Sequence, residues 1–238
     1  MSFRNKIVLG TMKLKKNFSN FNSLSNFLNY AHRKGIKKLH ISFEYTSYNL
    51  LIKYLNKNCK RKFTLIVKLP EPENDQYKFN IKKFKKKINK YVKDCGKKHD
   101  LIIQFVNRYQ CKNSSKYLLH EKKIFDEIEN AVINLKRKKQ IKSFYHFPYH
   151  TSLNGMKKYK FLNGITYYRN IYNTHIDHYA KQNNFKIVAI RTFGGDKKII
   201  KKNNLKKLIM FNLKSKLVKN IIVGTNNKVQ LDELLQVC

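Results

Sequence analysis

Histidine and cysteine are the residue types in this chain that could ligate a transition metal, and their spacing argues against it. His146 and His150 stand four residues apart, but Pro148 interrupts the segment and no glutamate accompanies the pair. The four cysteines include no CxxC pair. They are Cys59, Cys95, Cys111 and Cys238. We therefore expect no bound metal, and structural thiols in a reducing cytoplasm.

Glycine-rich phosphate loops are a second chemical signature, and neither GxGxxG nor GxxxxGKS follows a strand-like segment. The apolar run from Ile7 to Leu9 is too short for a signal peptide or a membrane span. These observations predict a soluble cytoplasmic protein without the usual nucleotide-binding loop.

The charge balance is extreme, with 52 basic against 14 acidic residues and a net charge of +38. Such a charge favours nucleic acid or another polyanion as partner. Only seven of the basic residues are arginine, however, and specific nucleic-acid readers depend on its bidentate contacts. We therefore expect no specific nucleic-acid partner, at most salt-sensitive phosphate binding, and a monomer kept apart by self-repulsion.

Eight short apolar runs recur along the chain, each followed by a lysine-rich segment with helical periodicity. The strand candidates are Ile7 to Leu9, Lys38 to Ser42, Thr64 to Lys68, Leu101 to Val106, Ser143 to His146, Gly164 to Tyr168, Lys186 to Ile190 and Asn220 to Val223. The helix candidates are Ser23 to Arg33, Ser47 to Asn56, Asn80 to Asp94, Lys122 to Lys138, Leu153 to Tyr159, Tyr172 to Gln182, Asn204 to Lys214 and Val229 to Gln236.

This alternation is typical of an α/β protein with a parallel sheet, either closed as a barrel or open and doubly wound. Eight units favour a compact (β/α)8 TIM barrel with short loops, and the 238 residues fit a single domain spanning 1–238. In such a barrel the chemistry belongs at the carboxyl ends of the strands.

Several segments resemble motifs of the aldo-keto reductases in the order in which that family carries them. They are KIVLGTMKL from Lys6, FLNYAHRKGIKKLHISFEY, FTLIVKLP, DLIIQFVNR, IVAIRTFGG and VKNIIVGTNNKVQLDELL. The resemblance spans nearly the whole chain. It implies reduction of an aldehyde or ketone carbonyl of a small substrate by hydride from NADPH, while a tyrosine donates a proton.

By this resemblance Tyr45 matches the proton donor and Lys68 the catalytic lysine. A phenol has an unperturbed pKa of about 10, and a nearby ammonium lowers it by stabilising the phenolate. We therefore expect Lys68 to assist Tyr45. His40 stands where the family has an aspartate, and a neutral imidazole can accept a hydrogen bond from Lys68 but brings no negative charge.

The substrate-orienting histidine of the family is replaced by Val106, or by Phe105 in the competing register. Loss of such a preorganised donor typically reduces the rate on the order of 10²- to 10³-fold. His146 is either a substitute imidazole or, as we expect, a partly buried polar residue at a strand end.

By the same resemblance, some of the positions at which the family contacts its cofactor are replaced and others are matched. Phe147 replaces the Ser or Asn that holds the nicotinamide amide, Thr166 replaces a glutamine, and Arg169 a tyrosine. The matched positions are Thr11, Met12, Arg191, Phe193, Gly195, Gly224, Thr225, Asn226 and Gln230. The GTNN turn opens onto a helix N-terminus, where backbone N–H groups favour an anion, although such turns also connect strands and helices generally. Abundant lysine favours NADPH over NADH.

Two hypotheses follow from this partial match. The first is an NADPH-dependent carbonyl reductase with a degenerate catalytic tetrad. The second is a barrel of the same ancestry that has lost turnover and serves as a binding or scaffold protein.

Overall fold

The eight apolar runs form the strands of a barrel. The computed structural model describes residues 3–18, 20–58, 60–71, 79–95, 98–109, 113–148, 159–193, 204–225 and 227–238. Its strands are β1 Ile7–Gly10, β2 Lys38–Ile41, β3 Thr64–Glu71, β4 Asp100–Asn107, β5 Ser143–Pro148, β6 Gly164–Tyr168, β7 Lys186–Ile190 and β8 Val218–Val223. They pair in parallel, in sequence order, and β8 closes on β1. The predicted (β/α)8 barrel is confirmed.

Helices follow the strands as the lysine-rich segments predict. They are α1 Leu14–Asn17, α2 Phe21–Arg33, α3 Tyr48–Lys57, α4 Ile81–Cys95, α5 Ser114–Arg137, α6 Ile176–Gln182, α7 Leu205–Leu213 and α8 Lys228–Gln236, after a 3-10 turn at Phe3–Lys6. The predicted helix from Leu153 to Tyr159 lies, except for its last residue, outside the described residues. None of the helices in the described ranges is long and apolar enough to cross a membrane.

Two helices begin where the sequence pattern did not place them. Helix α5 begins at Ser114, eight residues earlier than predicted, because the Asn113 side chain caps it by accepting the amide of Lys116 at 3.0 Å. Helix α6 begins at Ile176 and not at Tyr172, because the backbones of Asn170 and Asn173 bond to each other and close a turn first. Both errors concern local hydrogen bonds, which periodicity does not report.

The apolar side chains form two layers on either side of the barrel wall. A small cluster fills the interior, where every second residue of a strand points. It consists of Val8, Ile66, Ile102, Tyr145 and Val188, with Ile222 packed against it. The larger cluster lies mainly between strands and helices. Helix α2 contributes its buried face to it, formed by Leu24, Phe27, Leu28 and Ala31. A given strand residue therefore faces either the interior or the helices.

Gly164 shows how tightly the barrel wall is packed. A Cβ at this position would lie 2.0 Å from the carbonyl oxygen of Lys186 and 2.7 Å from the ring of Tyr145. Neither backbone nor a buried ring can yield that much space, so only glycine fits here. The missing side chain lets Tyr145 occupy the centre of the barrel.

Candidate active site

A cavity of about 450 Å³ opens at the carboxyl ends of the strands. All eight strands, or the residue directly after them, contribute to its wall. Six of the residues predicted for the site line it together, namely Met12, His40, Tyr45, Lys68, Arg191 and Gly224. Its volume is within the range of about 300 to 1,000 Å³ usual for small-molecule sites.

His40 lies at the centre of a hydrogen-bonded chain across this cavity. Its Nε2 lies 2.8 Å from Oε1 of Gln104, and its Nδ1 lies 3.3 Å from the hydroxyl of Tyr45. Because an amide oxygen only accepts, Nε2 carries the hydrogen and Nδ1 accepts from Tyr45. Burial, with a smaller contribution from the charge of Lys68, lowers the pKa of His40 to about 4. The imidazole is therefore neutral at pH 7.

Tyr45 lies in the turn after β2, where its backbone N–H donates to the carbonyl of Ser42 at 3.1 Å. Burial raises the pKa of its phenol above the ordinary value, and the charge of Glu44 raises it further, whereas Arg108 opposes both. The pKa of Tyr45 is thus raised, and the charged groups that shift it are Glu44 and Arg108, with Lys68 not among them. The hydroxyl that Tyr45 presents is a neutral donor, bonded to His40.

Lys68 is engaged by a different partner from the one expected. Its Nζ donates to Oε2 of Glu44 at 2.9 Å, and no hydrogen bond joins it to His40 among the contacts of the described residues. Arg108 grips the same carboxylate, with Nη1 2.7 Å from Oε1 and Nη2 2.8 Å from Oε2. Burial disfavours the carboxylate of Glu44, but the bonds from Lys68 and Arg108 outweigh it and lower its pKa. Glu44 thus supplies the carboxylate that position 40 lacks.

Tyr91 of α4 fastens the Tyr45 turn to β3. Its buried hydroxyl donates to the carbonyl of Lys68 at 3.0 Å and accepts the backbone N–H of Phe43 at 2.9 Å. Its ring stacks on Phe43 with centroids 3.6 Å apart. The positions of Lys68 and Tyr45 are therefore coupled through one buried phenol.

The opposite side of the cavity combines an aromatic face with positive charge. The guanidinium of Arg191 lies 4.4 Å from the ring centroid of Tyr168, and both residues line the cavity. Arg191 has a φ of +49°, a left-handed conformation that is uncommon outside glycine. Such strain is often found at functional positions.

The β8–α8 connection retains features of an anion site. A Cβ on Gly224 would meet no atom within 4 Å, so open space lies beside its backbone. The hydroxyl of Thr225 is buried without a hydrogen-bond partner. Asn227 caps α8 by accepting the amide of Gln230 at 2.9 Å. Two adjacent positions thus leave room and an unused polar group for a ligand.

The other described residues predicted to contact a cofactor do not line the cavity. Thr11 is buried and donates from Oγ1 to the carbonyl of His40 at 2.8 Å, so it supports the site from behind. Phe193 is half-buried against the outer core, and Gln230 is exposed on α8. Gly195 and Asn226 lie outside the described residues.

Three departures from the family pattern lie on β4, β5 and β6. Val106 shares a face with Gln104 by strand alternation, whereas the ring of Phe105 packs outside the wall, 6.0 Å from Phe144, which favours the Val106 alignment. Phe147 lines the cavity. Thr166 is fully buried, with no partner for its hydroxyl.

His146 and Arg169 point away from the cavity. His146 is fully buried outside the wall, with Nε2 2.8 Å from Oε1 of Glu121, so it does not enter the cavity as a substitute imidazole and is more buried than the partly buried residue expected. Arg169 is held by Asp177 through two bonds of 2.7 Å and by Asn212 through a third. Tyr168, its neighbour, supplies the aromatic ring of the cavity instead.

Sequence reasoning missed Glu44, Gln104 and Arg108. Glu44 directly precedes Tyr45, and Gln104 stands two residues before Val106, the even spacing that puts both on one strand face. That spacing was the available signal for Gln104. Among the described residues, no group of three His, Cys, Asp or Glu side chains could hold a metal ion.

Comparisons with known proteins identify the fold. No protein-family profile and no curated protein sequence matches the chain. Solved structures do match. An aldo-keto reductase from Bacillus halodurans in its holo form is 13% identical, with a TM-score of 0.72, over 98% of this chain and 86% of that one. A thermostable aldo-keto reductase in complex with the inhibitor epalrestat is also 13% identical, with a TM-score of 0.71, over 98% and 89%.

A third match is the glycerol dehydrogenase of Gluconobacter oxydans, 14% identical with a TM-score of 0.63, over 98% of this chain and 86% of that one. The chain thus has the fold of the aldo-keto reductases, and the resemblance read from its sequence is confirmed at the level of the fold.

Proposed function

We propose that this barrel is a nicotinamide-dependent oxidoreductase that uses NADPH to reduce the aldehyde or ketone group of a small substrate. The observation that carries the proposal is the composition of one cavity. The imidazole of His40 on β2, the phenol of Tyr45 in the turn after β2 and the ammonium of Lys68 on β3 line one side of it. An aromatic ring with a guanidinium over it lies on the other side. The first group can transfer a proton, and the second can hold an anionic, planar cofactor.

The residues present fit a nicotinamide dinucleotide better at its phosphates than at its carboxamide. The open space beside Gly224 and the unpartnered hydroxyl of Thr225 suit a phosphate at the start of α8. Arg191 would contact the negative charge of the cofactor, and Tyr168 would pack against its planar ring. Phe147 offers the carboxamide no hydrogen bond. When bound, the cofactor supplies the hydride.

Phe193, Gly195, Asn226 and Gln230 are proposed to complete the cofactor contacts, and Met12 to border the ring. Lysines near the cavity mouth, such as Lys13, favour a cofactor that carries an additional phosphate.

Tyr45 is proposed to donate a proton to the substrate oxygen as hydride reaches the carbonyl carbon. Its raised pKa keeps the hydroxyl protonated across the physiological range, as a donor requires. Lys68 and Arg108 neutralise Glu44 beside it, so Tyr45 does not face an unpaired carboxylate. The side chains of the protein therefore supply the proton and its surroundings.

A titration with NADPH at moderate salt, together with a panel of aldehydes, tests this proposal. We expect micromolar binding and substrate-dependent oxidation of NADPH, with turnover reduced at least about 100-fold in Tyr45→Phe, the scale of general acid catalysis. Tyr168→Phe is the matched control because it removes a hydroxyl from the other cavity tyrosine and keeps the ring. Equal activity in Tyr45→Phe and wild type would refute the role of Tyr45.

A binding protein without turnover is the second candidate. It is favoured by the pairing of Lys68 with Glu44, which occupies the ammonium expected to assist the phenol. NADPH binding without oxidation of any substrate in the panel would support this candidate. Absence of binding would contradict both.

A further inference from the structure

We propose that the proton delivered to the substrate oxygen enters through His40, passes by way of the Tyr45 hydroxyl, and that Gln104 is the positioning residue that orients the imidazole for this transfer. The inference rests on the proposed reductase function and assigns its proton route. The sequence resemblance assigned the assistance of Tyr45 to Lys68, so neither His40 nor Gln104 was expected to supply or orient the proton.

The orientation of His40 follows from what each neighbour can offer. Oε1 of Gln104 accepts a hydrogen bond from Nε2 of His40 at 2.8 Å. The amide nitrogen of Gln104 is buried with no hydrogen-bond partner. The amide is therefore held by its single bond to His40. That bond keeps the second ring nitrogen, Nδ1, directed at the Tyr45 hydroxyl 3.3 Å away.

Other groups near Tyr45 are already committed. Lys68, which faces His40 from β3, donates to Glu44. Arg108 binds both oxygens of the same carboxylate. His40 is thus the titratable group in hydrogen-bond contact with the phenol among the described residues. An imidazole both accepts and returns a proton, which suits a relay.

The transfer balances in protons and electrons. Hydride from the reduced nicotinamide forms the new C–H bond, and the electron pair of the carbonyl π bond moves to oxygen. That oxygen takes the proton of Tyr45, and Tyr45 takes the proton on Nδ1 of the His40 imidazolium. The imidazole is left neutral, with its Nε2–H still donating to Oε1 of Gln104. A proton from solvent restores the imidazolium after product leaves.

This route predicts an unusual dependence on pH. The reacting form is the imidazolium, and burial together with Lys68 lowers the pKa of His40 to about 4. The nearby charges of Glu44 and Arg108 are bonded to each other, and neither is among the groups that shift the pKa of His40. Carbonyl reduction should therefore slow about tenfold for each unit by which the pH rises above 5.

Gln104→Glu and Gln104→Leu form the test pair. A carboxylate next to Nε2 favours the imidazolium and should raise the pKa of His40 by about 1 to 3 units. The protonated fraction at pH 7 then rises by tenfold or more, and carbonyl reduction at pH 7 should increase with it. Leucine removes the acceptor, so the imidazolium loses a bond and reduction should fall below that of the wild type.

The direction of the rate change in Gln104→Glu distinguishes proton delivery through His40 from proton donation by Tyr45 alone. If Tyr45 acted without His40, a carboxylate at position 104 would destabilise the phenolate that forms and would slow the reaction. Slower reduction in Gln104→Glu despite a raised pKa of His40 would thus overturn the proposal. A pKa of His40 that is the same in both variants and the wild type would also overturn it, since Gln104 would then not act on the ring.

The pKa of His40 is measured by ¹⁵N-edited NMR titration, with His40→Asn to assign its signals, and this readout needs neither cofactor nor turnover. A shifted pKa in a protein that binds NADPH but reduces nothing would mean that the proposed function had failed while the Gln104–His40 contact stood. Unshifted signals in an active enzyme would mean the reverse.

Discussion

Tyr91→Phe should destabilise the protein and loosen its candidate active site at the same time. The substitution keeps the buried ring and its stacking on Phe43 and removes one oxygen. That oxygen makes two hydrogen bonds, to the carbonyl of Lys68 and from the N–H of Phe43. Each contributes about 1 kcal/mol, and a half-buried N–H left unpaired adds to the loss.

We therefore expect the free energy of unfolding to fall by about 2 kcal/mol. For a chain of this size the thermal midpoint should drop by roughly 4 to 8 °C. Because Phe43 lies two residues before Tyr45, turnover should decrease more than NADPH affinity. Unfolding in urea, followed by circular dichroism, measures the first effect, and steady-state kinetics the second.

Tyr145→Phe is the matched control. Tyr145 is buried in the barrel interior, and its hydroxyl has no hydrogen-bond partner among the described residues. Its loss breaks no hydrogen bond between described residues and should leave the stability unchanged or slightly increased. If Tyr91→Phe were no more destabilising than Tyr145→Phe, the reasoning that one phenol fastens the turn to β3 would be refuted.

Two further predictions concern stability. Burial lowers the pKa of His40 and of His99 to about 4. Below about pH 6.5 the unfolded chain therefore binds protons at these histidines, whereas the folded chain does not. Each histidine should thus lower the free energy of unfolding by roughly 1 to 3 kcal/mol as the pH falls from 6.5 to 4. Urea unfolding at pH 4.5 and 7 measures this loss, and a loss no smaller in His99→Asn would contradict the assignment to His99. Asn227→Ala removes the cap of α8 and should lower the thermal midpoint by about 2 to 4 °C, which corresponds to about 1 kcal/mol. Asn20→Ala removes the equivalent cap of α2 and serves as the comparison.

The strands were predictable because each is a short apolar run bounded by polar segments, as β6 and β7 show with the bounds expected for them. The direction of individual side chains was not. In a parallel strand covered by helices both faces are apolar, so His146 and Gln104 look alike in sequence although one lies outside the wall and the other inside.

The residues proposed to be catalytic show a second limit. Tyr45 and Lys68 were located by motif and do line one cavity. Which side chains they bond to depends on the charged groups that the fold brings close to them. Lys68 pairs with Glu44, which lies 24 residues away in sequence. Such pairing is set by three-dimensional proximity and desolvation, which neither spacing nor composition encodes.

The wall of the cavity is divided between two arcs of strands. The hydrogen-bonded chain from Tyr45 through His40 to Gln104 belongs to β2, β4 and the turn between β2 and α3. Arg191, Tyr168 and Gly224 stand on the arc from β6 to β8. Because no hydrogen bond between described residues joins the two groups, mutation can alter one without rebuilding the other. The proposed proton donor and the proposed cofactor contacts could therefore be changed or lost independently of each other.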